Sequence, residues 1–250
     1  MNRIIDFKAL KEMIYNYINA IANKLEHDDI QKNIVLICGI IRTLPQFSHS
    51  VVGENFYKVM VAVPRKSGVE DIIPVTISER TFDLSSLSVG KIVSLVGQFR
   101  SYKYITQEGR MQLKLTVLAN EVEILNQDEY FRYENTILLD GYVCKKPVHR
   151  TTSLSGKEIT DIMLAVNRRY YKTDYIPTVI WGRNAIYTAD SSMGDRIVVT
   201  GRIESRQYEK PLESGEMLQR TVYEVAVSSV VVTGENNSKP EQQYCSDSVA

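Results

Sequence analysis

Apolar residues recur at three- and four-residue steps only at the start of the chain. There Ile4, Phe7, Leu10, Ile14, Tyr17, Ile18, Ile21 and Leu25 are separated by Lys8, Lys11, Glu12, Asn16 and Asn23, the period of an amphipathic helix. The polar face is not predominantly basic, so the stripe is expected to pack on protein, against the first domain or a second subunit, and not on a membrane. His27-Asp28-Asp29 is expected to end it. From Asn33 onward the pattern changes to short runs rich in Val, Ile, Thr and Tyr. They are divided by Gly53-Glu54-Asn55, Lys66-Ser67-Gly68, Gln107-Glu108-Gly109, Ser155-Gly156-Lys157 and Glu213-Ser214-Gly215, which reads as strands and turns.

The strand pattern occurs twice. Asn33-Ile34-Val35-Leu36-Ile37-Cys38-Gly39 aligns with Asn135-Thr136-Ile137-Leu138-Leu139-Asp140-Gly141, Val61-Ala62-Val63-Pro64-Arg65 with Leu164-Ala165-Val166-Asn167-Arg168, and Asp71-Ile72-Ile73-Pro74 with Asp174-Tyr175-Ile176-Pro177. Gly90, Gly97 and Tyr104 meet Gly194, Gly201 and Tyr208. A period of about a hundred residues suits one small domain and is too long for a solenoid repeat. The expected organisation is a helix over 1–32, a first domain over 33–125, a linker over 126–134, a second domain over 135–233 and a disordered tail over 234–250. Each copy reads as about five strands. In the second, Asn184 to Asp190 forms a short helix between the third and fourth. That order fits an all-β chain of two tandem OB-fold barrels, five-stranded Greek keys, behind an N-terminal helix; a small β-sandwich has the same strand count.

Charge changes this picture little. Thirty basic side chains balance thirty acidic ones, yet residues 33–125 and 135–232 each carry a small basic excess, offset in 126–134 and 235–250, and local clusters govern phosphate affinity. Cys38, Cys144 and Cys245, like His27, His49 and His149, are scattered, which implies neither disulfides nor a metal, and no cofactor is expected. The longest apolar run, Ile34 to Ile41, is far short of a membrane span, and no targeting segment is visible. A cytoplasmic, nucleoid-associated location is expected.

Candidate chemistry lies on the strand before the short helix. Alternation puts Tyr175, Pro177, Val179 and Trp181 on one face and Ile176, Thr178 and Ile180 on the other. Arg202, Arg206 and Tyr208 share a parity on the next strand, Arg168, Arg169, Tyr170, Tyr171 and Lys172 flank the first, and Arg150 follows the opening turn. Exposed rings with guanidinium groups nearby are what a single nucleic-acid strand needs for base stacking and phosphate contact. In the first copy Ile72 replaces Tyr175 and Ser78 replaces Trp181. Arg100, Tyr102 and Tyr104 keep a partial strip beside Lys103 and Arg110. That copy is expected to bind weakly, to mediate assembly, or to extend a path begun on the second.

On these residues, with Pro147-Val148-His149-Arg150, Gly182-Arg183-Asn184-Ala185 and Gly201-Arg202-Ile203, the stretch 135–232 resembles the bacterial single-stranded-DNA-binding protein family. The resemblance implies stacking at Tyr175, Trp181 and Tyr208. It also implies a homodimer, since two-domain members of that family make four barrels from two chains. Family members usually end in an acidic tip with a Pro-Phe pair that recruits repair and replication proteins; Gln243 to Ala250 has one acidic residue and no such pair. The leading expectation is therefore a non-catalytic binder of single-stranded DNA in replication, recombination or repair, with RNA open because stacking does not distinguish the two. A primosome-like adaptor is the alternative. No nucleophile with a His and carboxylate set and no phosphate loop is present, so neither an enzyme nor a small-molecule substrate is expected. Asp71 and Asp174 are expected to be structural.

Overall fold

The structure, a computed structural model, describes residues 5–24, 31–105, 109, 111–126, 132–153, 156–168, 170–211 and 217–233. Helix α1 (Phe7–Ala22) is capped by Asp6, whose side chain accepts from the Ala9 N–H at 3.0 Å. It is shorter at each end than the periodic stretch 4–25. The His27-Asp28-Asp29 segment, most of the linker and the tail lie outside the described residues.

The first copy comprises β1 (Asn33–Ile41), β2 (Gln46–Val51), β3 (Glu54–Pro64), β4 (Glu70–Ser78), β5 (Ile92–Ile105) and β6 (Met111–Leu125). The second comprises β7 (Glu134–Val143), β8 (Val148–Thr151), β9 (Glu158–Asn167), β10 (Thr173–Trp181), α2 (Arg183–Ala189), β11 (Arg196–Pro211) and β12 (Met217–Thr233). Pro45 and Pro147 sit just before β2 and β8. Lacking an N–H for the ladder, they mark a bend that divides the first barrel strand in two, so five expected strands become six segments. Each set closes on itself. β1 pairs with β3 and β5, while β4 runs parallel to β6; β7 pairs with β9 and β11, while β10 runs parallel to β12. These are two OB-fold barrels. Their interiors are filled by Ile37, Ile73, Leu95, Phe99 and Val117 in one and Leu139, Leu164, Ile176, Val199 and Ile203 in the other.

The recurrent Gly97 and Gly201 sit at matching bulges of the β5–β6 and β11–β12 hairpins. A Cβ there would run into the Leu118 or Ala226 carbonyl oxygen, so close backbone approach explains why glycine appears in both copies.

The barrels are joined through β1 and β7, which pair antiparallel so that all twelve strands form one sheet. Val35 lies opposite Ile137, its own counterpart in the repeat, so a local twofold axis passes between them. The polar repeats hold each barrel together beside the junction and tie the two across it. Asn33 bonds both backbone groups of Phe99, and Asn135 those of Ile203, at 2.7–2.9 Å. Asp174 pairs with Arg168 and Arg100 and accepts the Ser101 N–H at 2.6 Å; the Ser101 hydroxyl accepts the Tyr175 N–H at 2.7 Å. Reciprocally, Asp71 pairs with Arg65 and accepts the Ser205 N–H at 3.0 Å, and the Ser205 hydroxyl accepts the Ile72 N–H at 2.9 Å. Each barrel thus holds the other by the same Asp–Ser exchange.

On the outer face of this junction α1 lays Ile14, Tyr17, Ile18 and Ile21 against Ile34, Leu36, Leu138 and Val198. The Tyr17 hydroxyl donates to Asp140 at 2.7 Å, and Arg196 donates to both Asp140 oxygens at 2.9 and 2.7 Å. Burial, reinforced by Asp140, raises the Tyr17 phenol well above its ordinary range, so it stays a donor at every working pH.

Replacing Gly201 by Ala is expected to destabilise the fold by roughly 1–3 kcal/mol through overpacking. Asp174→Asn, which leaves two buried guanidinium groups short of their partner, is expected to cost about 3 kcal/mol. Both are read from the urea midpoint; unchanged midpoints would contradict the close-approach and junction assignments respectively.

Candidate nucleic-acid interface

Strand β10 presents its two faces as alternation dictates. Ile176, Thr178 and Ile180 are buried, whereas Tyr175 and Pro177 are half-buried and Trp181 is 45 % exposed at the strand's end. Val179 on the same open face is nearly covered. Six residue steps of strand set the Cα atoms of Tyr175 and Trp181 about 20 Å apart. Tyr175 is fixed by its neighbour across the junction, through its N–H on Ser101. Lys103 of the first barrel lies over the Tyr175 ring, 5.2 Å from its centroid, within cation–π range.

The arginines around the platform are already engaged. Arg150 pairs with Asp161 of β9 at 3.0 Å, Arg202 with Glu204, and Arg206 with Glu224 of β12 at 3.7 Å. Arg202, Glu204, Arg206 and Tyr208 share one parity of β11, and Glu224 lies opposite Glu204. The open face therefore carries alternating charges and not a basic field. Arg168 and Arg100 are bound to Asp174, and the Nε of Arg100 is buried without a partner among the described residues. Their guanidinium groups hold the junction. Lys172 and Lys103 are in no ion pair among the described residues.

Tyr170 and Tyr171 form the tip of the β9–β10 hairpin with φ of 62° and 57°. They are 88 % and 98 % exposed. Two adjacent left-handed tyrosines are uncommon outside glycine; the first barrel uses Gly68, φ 83°, in the corresponding turn. Tyr208 is half-buried on the β11–β12 arm opposite Arg220. Tyr104, on the matching arm of the first barrel, is exposed and donates to Gln112 at 2.6 Å. Arg110 and Arg169 lie outside the described residues.

Asp161 and Glu224 went unnoticed in the sequence although strand parity puts both on the platform face. The sequence places Lys103 only beside the partial strip of the first copy; its place over Tyr175 has no sequence signal, because it exists only across the junction.

The Single-strand binding protein family model matches residues 134–233. A single-stranded DNA-binding protein of Clostridium tetani is 36 % identical over 102 residues, covering 38 % of this chain and 68 % of the relative. Single-stranded DNA-binding protein 3 of Clostridium acetobutylicum is 32 % identical over 120 residues, covering 44 % of this chain and 81 % of the relative. Among solved structures, the wild-type single-stranded DNA binding protein from Thermus aquaticus overlays with a TM-score of 0.64 at 18 % identity, over 83 % of this chain and 95 % of that one. That overlay extends the likeness of fold to both barrels, whereas the family match is confined to the second.

Burial raises Glu224 above the ordinary carboxylate range, with Arg206 opposing it. A carboxyl shifted upward is the first to become neutral as pH falls, which removes a negative charge from the face and releases Arg206. Affinity for oligo(dT) is therefore expected to rise as pH falls toward the carboxylate range, Glu224 being neutralised ahead of an ordinary glutamate. In Glu224→Gln the higher affinity is expected already at neutral pH; a flat profile in the parent chain would contradict this.

Proposed function

The chain belongs to the single-strand binding protein family, and from that premise we propose that it binds single-stranded DNA without catalysing a reaction. Bases stack on Trp181 and Tyr175, with Tyr208 and Tyr171 extending the contact. The observation that carries this reading is the open face of β10, which presents Tyr175 half-buried and Trp181 45 % exposed at the strand's end. A flat ring accepts any base, so binding is largely independent of sequence. Arg150, Arg202 and Arg206 meet phosphates by exchanging their carboxylate partners, and Lys172 and Lys103 meet them directly. Arg168 and Arg100 contribute by fixing Tyr175 and its strand, and Tyr104 offers a ring on the first barrel.

Such a protein coats strands exposed during replication, recombination or repair. The homodimer proposed from the family likeness has to form away from the sheet face that α1 covers. It would present four barrels.

Titration with oligo(dT) followed by Trp181 fluorescence tests the reading. Strong quenching is expected, and Trp181→Ala is expected to weaken binding roughly 5- to 150-fold, equivalent to about 1–3 kcal/mol for one lost stack. For an oligonucleotide held by the second barrel, two or three uncompensated cations give a slope of log K against log salt of about −1.4 to −2. Unaltered affinity in Trp181→Ala would remove the platform assignment.

A further inference from the structure

We propose that the first barrel carries a second base-stacking surface for single-stranded DNA, built on Phe56, His49 and Tyr102 in place of the aromatics that β4 lacks. The inference rests on the nucleic-acid reading of the second barrel and adds a site to it.

Position by position, the first copy has lost its platform: Ile72 stands for Tyr175 and Ser78 for Trp181. The structure shows where the ring has gone. Ser78 lies directly opposite Phe56 of β3, whereas Trp181 lies opposite Ile159 of β9. The large and small members of the cross-strand pair have changed places. Directly opposed residues keep their Cβ atoms within about 5.5 Å, so Phe56 covers the patch of face that Trp181 covers in the second barrel. It does not stand alone. His49 of β2 stacks on Phe56 with centroids 4.9 Å apart and planes 7° from parallel. Tyr102 of β5 follows at 6.5 Å from His49, and Arg168 of the second barrel lies 5.5 Å from the Tyr102 centroid. Phe56, His49 and Tyr102 are each partly exposed. Next along β5, Lys103 reaches over Tyr175. Phe56, His49 and Tyr102 thus form one row of rings that ends at Arg168 of the second barrel.

The electrostatics of this face differ from those of the second barrel in the direction that favours a polyanion. Where the second face has Asp161 on β9, the first has Lys58 on β3. Where the second has Glu224 opposite Glu204, the first has Thr116 opposite Arg100. Lys114 lies opposite Tyr102 and is exposed. Neither Lys58 nor Lys114 is in an ion pair among the described residues. Glu54, at the far end of the face, is occupied by Ser78 and Arg80. Stacked rings with uncompensated lysines beside them fit a single strand's bases and phosphates.

The full chain is titrated by anisotropy with labelled oligo(dT) of about 8 nucleotides, which one barrel can hold, and of about 30, which spans both. Trp181 fluorescence reports the second barrel independently. In Phe56→Ala the affinity for the long strand is expected to fall roughly tenfold, the loss of about one stack, while Trp181 quenching by the short one is retained. Phe56→Leu keeps the apolar bulk without the flat ring and is expected to give the same loss, which separates stacking from folding. Lys58→Glu with Lys114→Glu is expected to weaken long-strand binding and flatten its salt dependence. Long-strand affinity within twofold of the parent in both Phe56 variants would overturn the proposal. Absence of Trp181 quenching in the parent chain would instead fail the reading of the second barrel, and the anisotropy of the Phe56 variants would still decide the first.

Discussion

The backbone ladder between β1 and β7, with an Asp–Ser exchange on either side of it, is the constraint on which the arrangement of this molecule depends. Both strands are buried on both faces, by barrel interiors on one side and α1 on the other. A residue such as Leu36 or Leu138 therefore has no route back to water without parting barrel from helix. The Asp174 carboxylate accepts a backbone N–H of the opposite barrel and two guanidinium groups, and Asp71 accepts a backbone N–H and the one guanidinium of Arg65 from the other side. Charges removed from water this completely are tolerated only when paired and hydrogen-bonded. The geometry that satisfies them also fixes the angle between the barrels, and hence the distance from Tyr175 to the side chains of β5.

The same junction explains the character of the open faces. Arginines that a composition count assigns to phosphate binding are committed either to the junction or to carboxylates on the same strand face. In the proposed reading, stacking rings then carry more of the interaction with a single strand than net charge does. This agrees with the chain's neutral balance of thirty against thirty.

The duplication, the strand order, the helix before β11 and the outward parity of Tyr175 and Trp181 were legible because they follow from period, turn residues and alternation, all local properties. The repeated Asp71 and Asp174 were legible as structural, but their partners were not. Ser101 and Ser205 recur at matching positions, a signal that parity alone does not single out. The first barrel showed only the partial strip of β5, its platform otherwise lost, because the comparison of β4 with β10 ran down one strand. Phe56 sits on the neighbouring strand, and only the pairing of β3 with β4 brings it beside Ser78. Lys103 could not have been assigned to Tyr175 at all, since 72 positions of sequence separate them and the contact exists only once the two barrels meet.

The placement of α1 has a consequence for how the chain reaches its native state. A sixteen-residue helix is marginal by itself in water. Alongside Ile34 and Leu36, the groups that hold this one are Asp140, Arg196, Leu138 and Val198 of the second barrel. The helix therefore finds its full seat only once the second barrel is in place. Closing the second barrel and covering the outer face of β1 are thus one coupled event, because the same helix spans residues of both barrels.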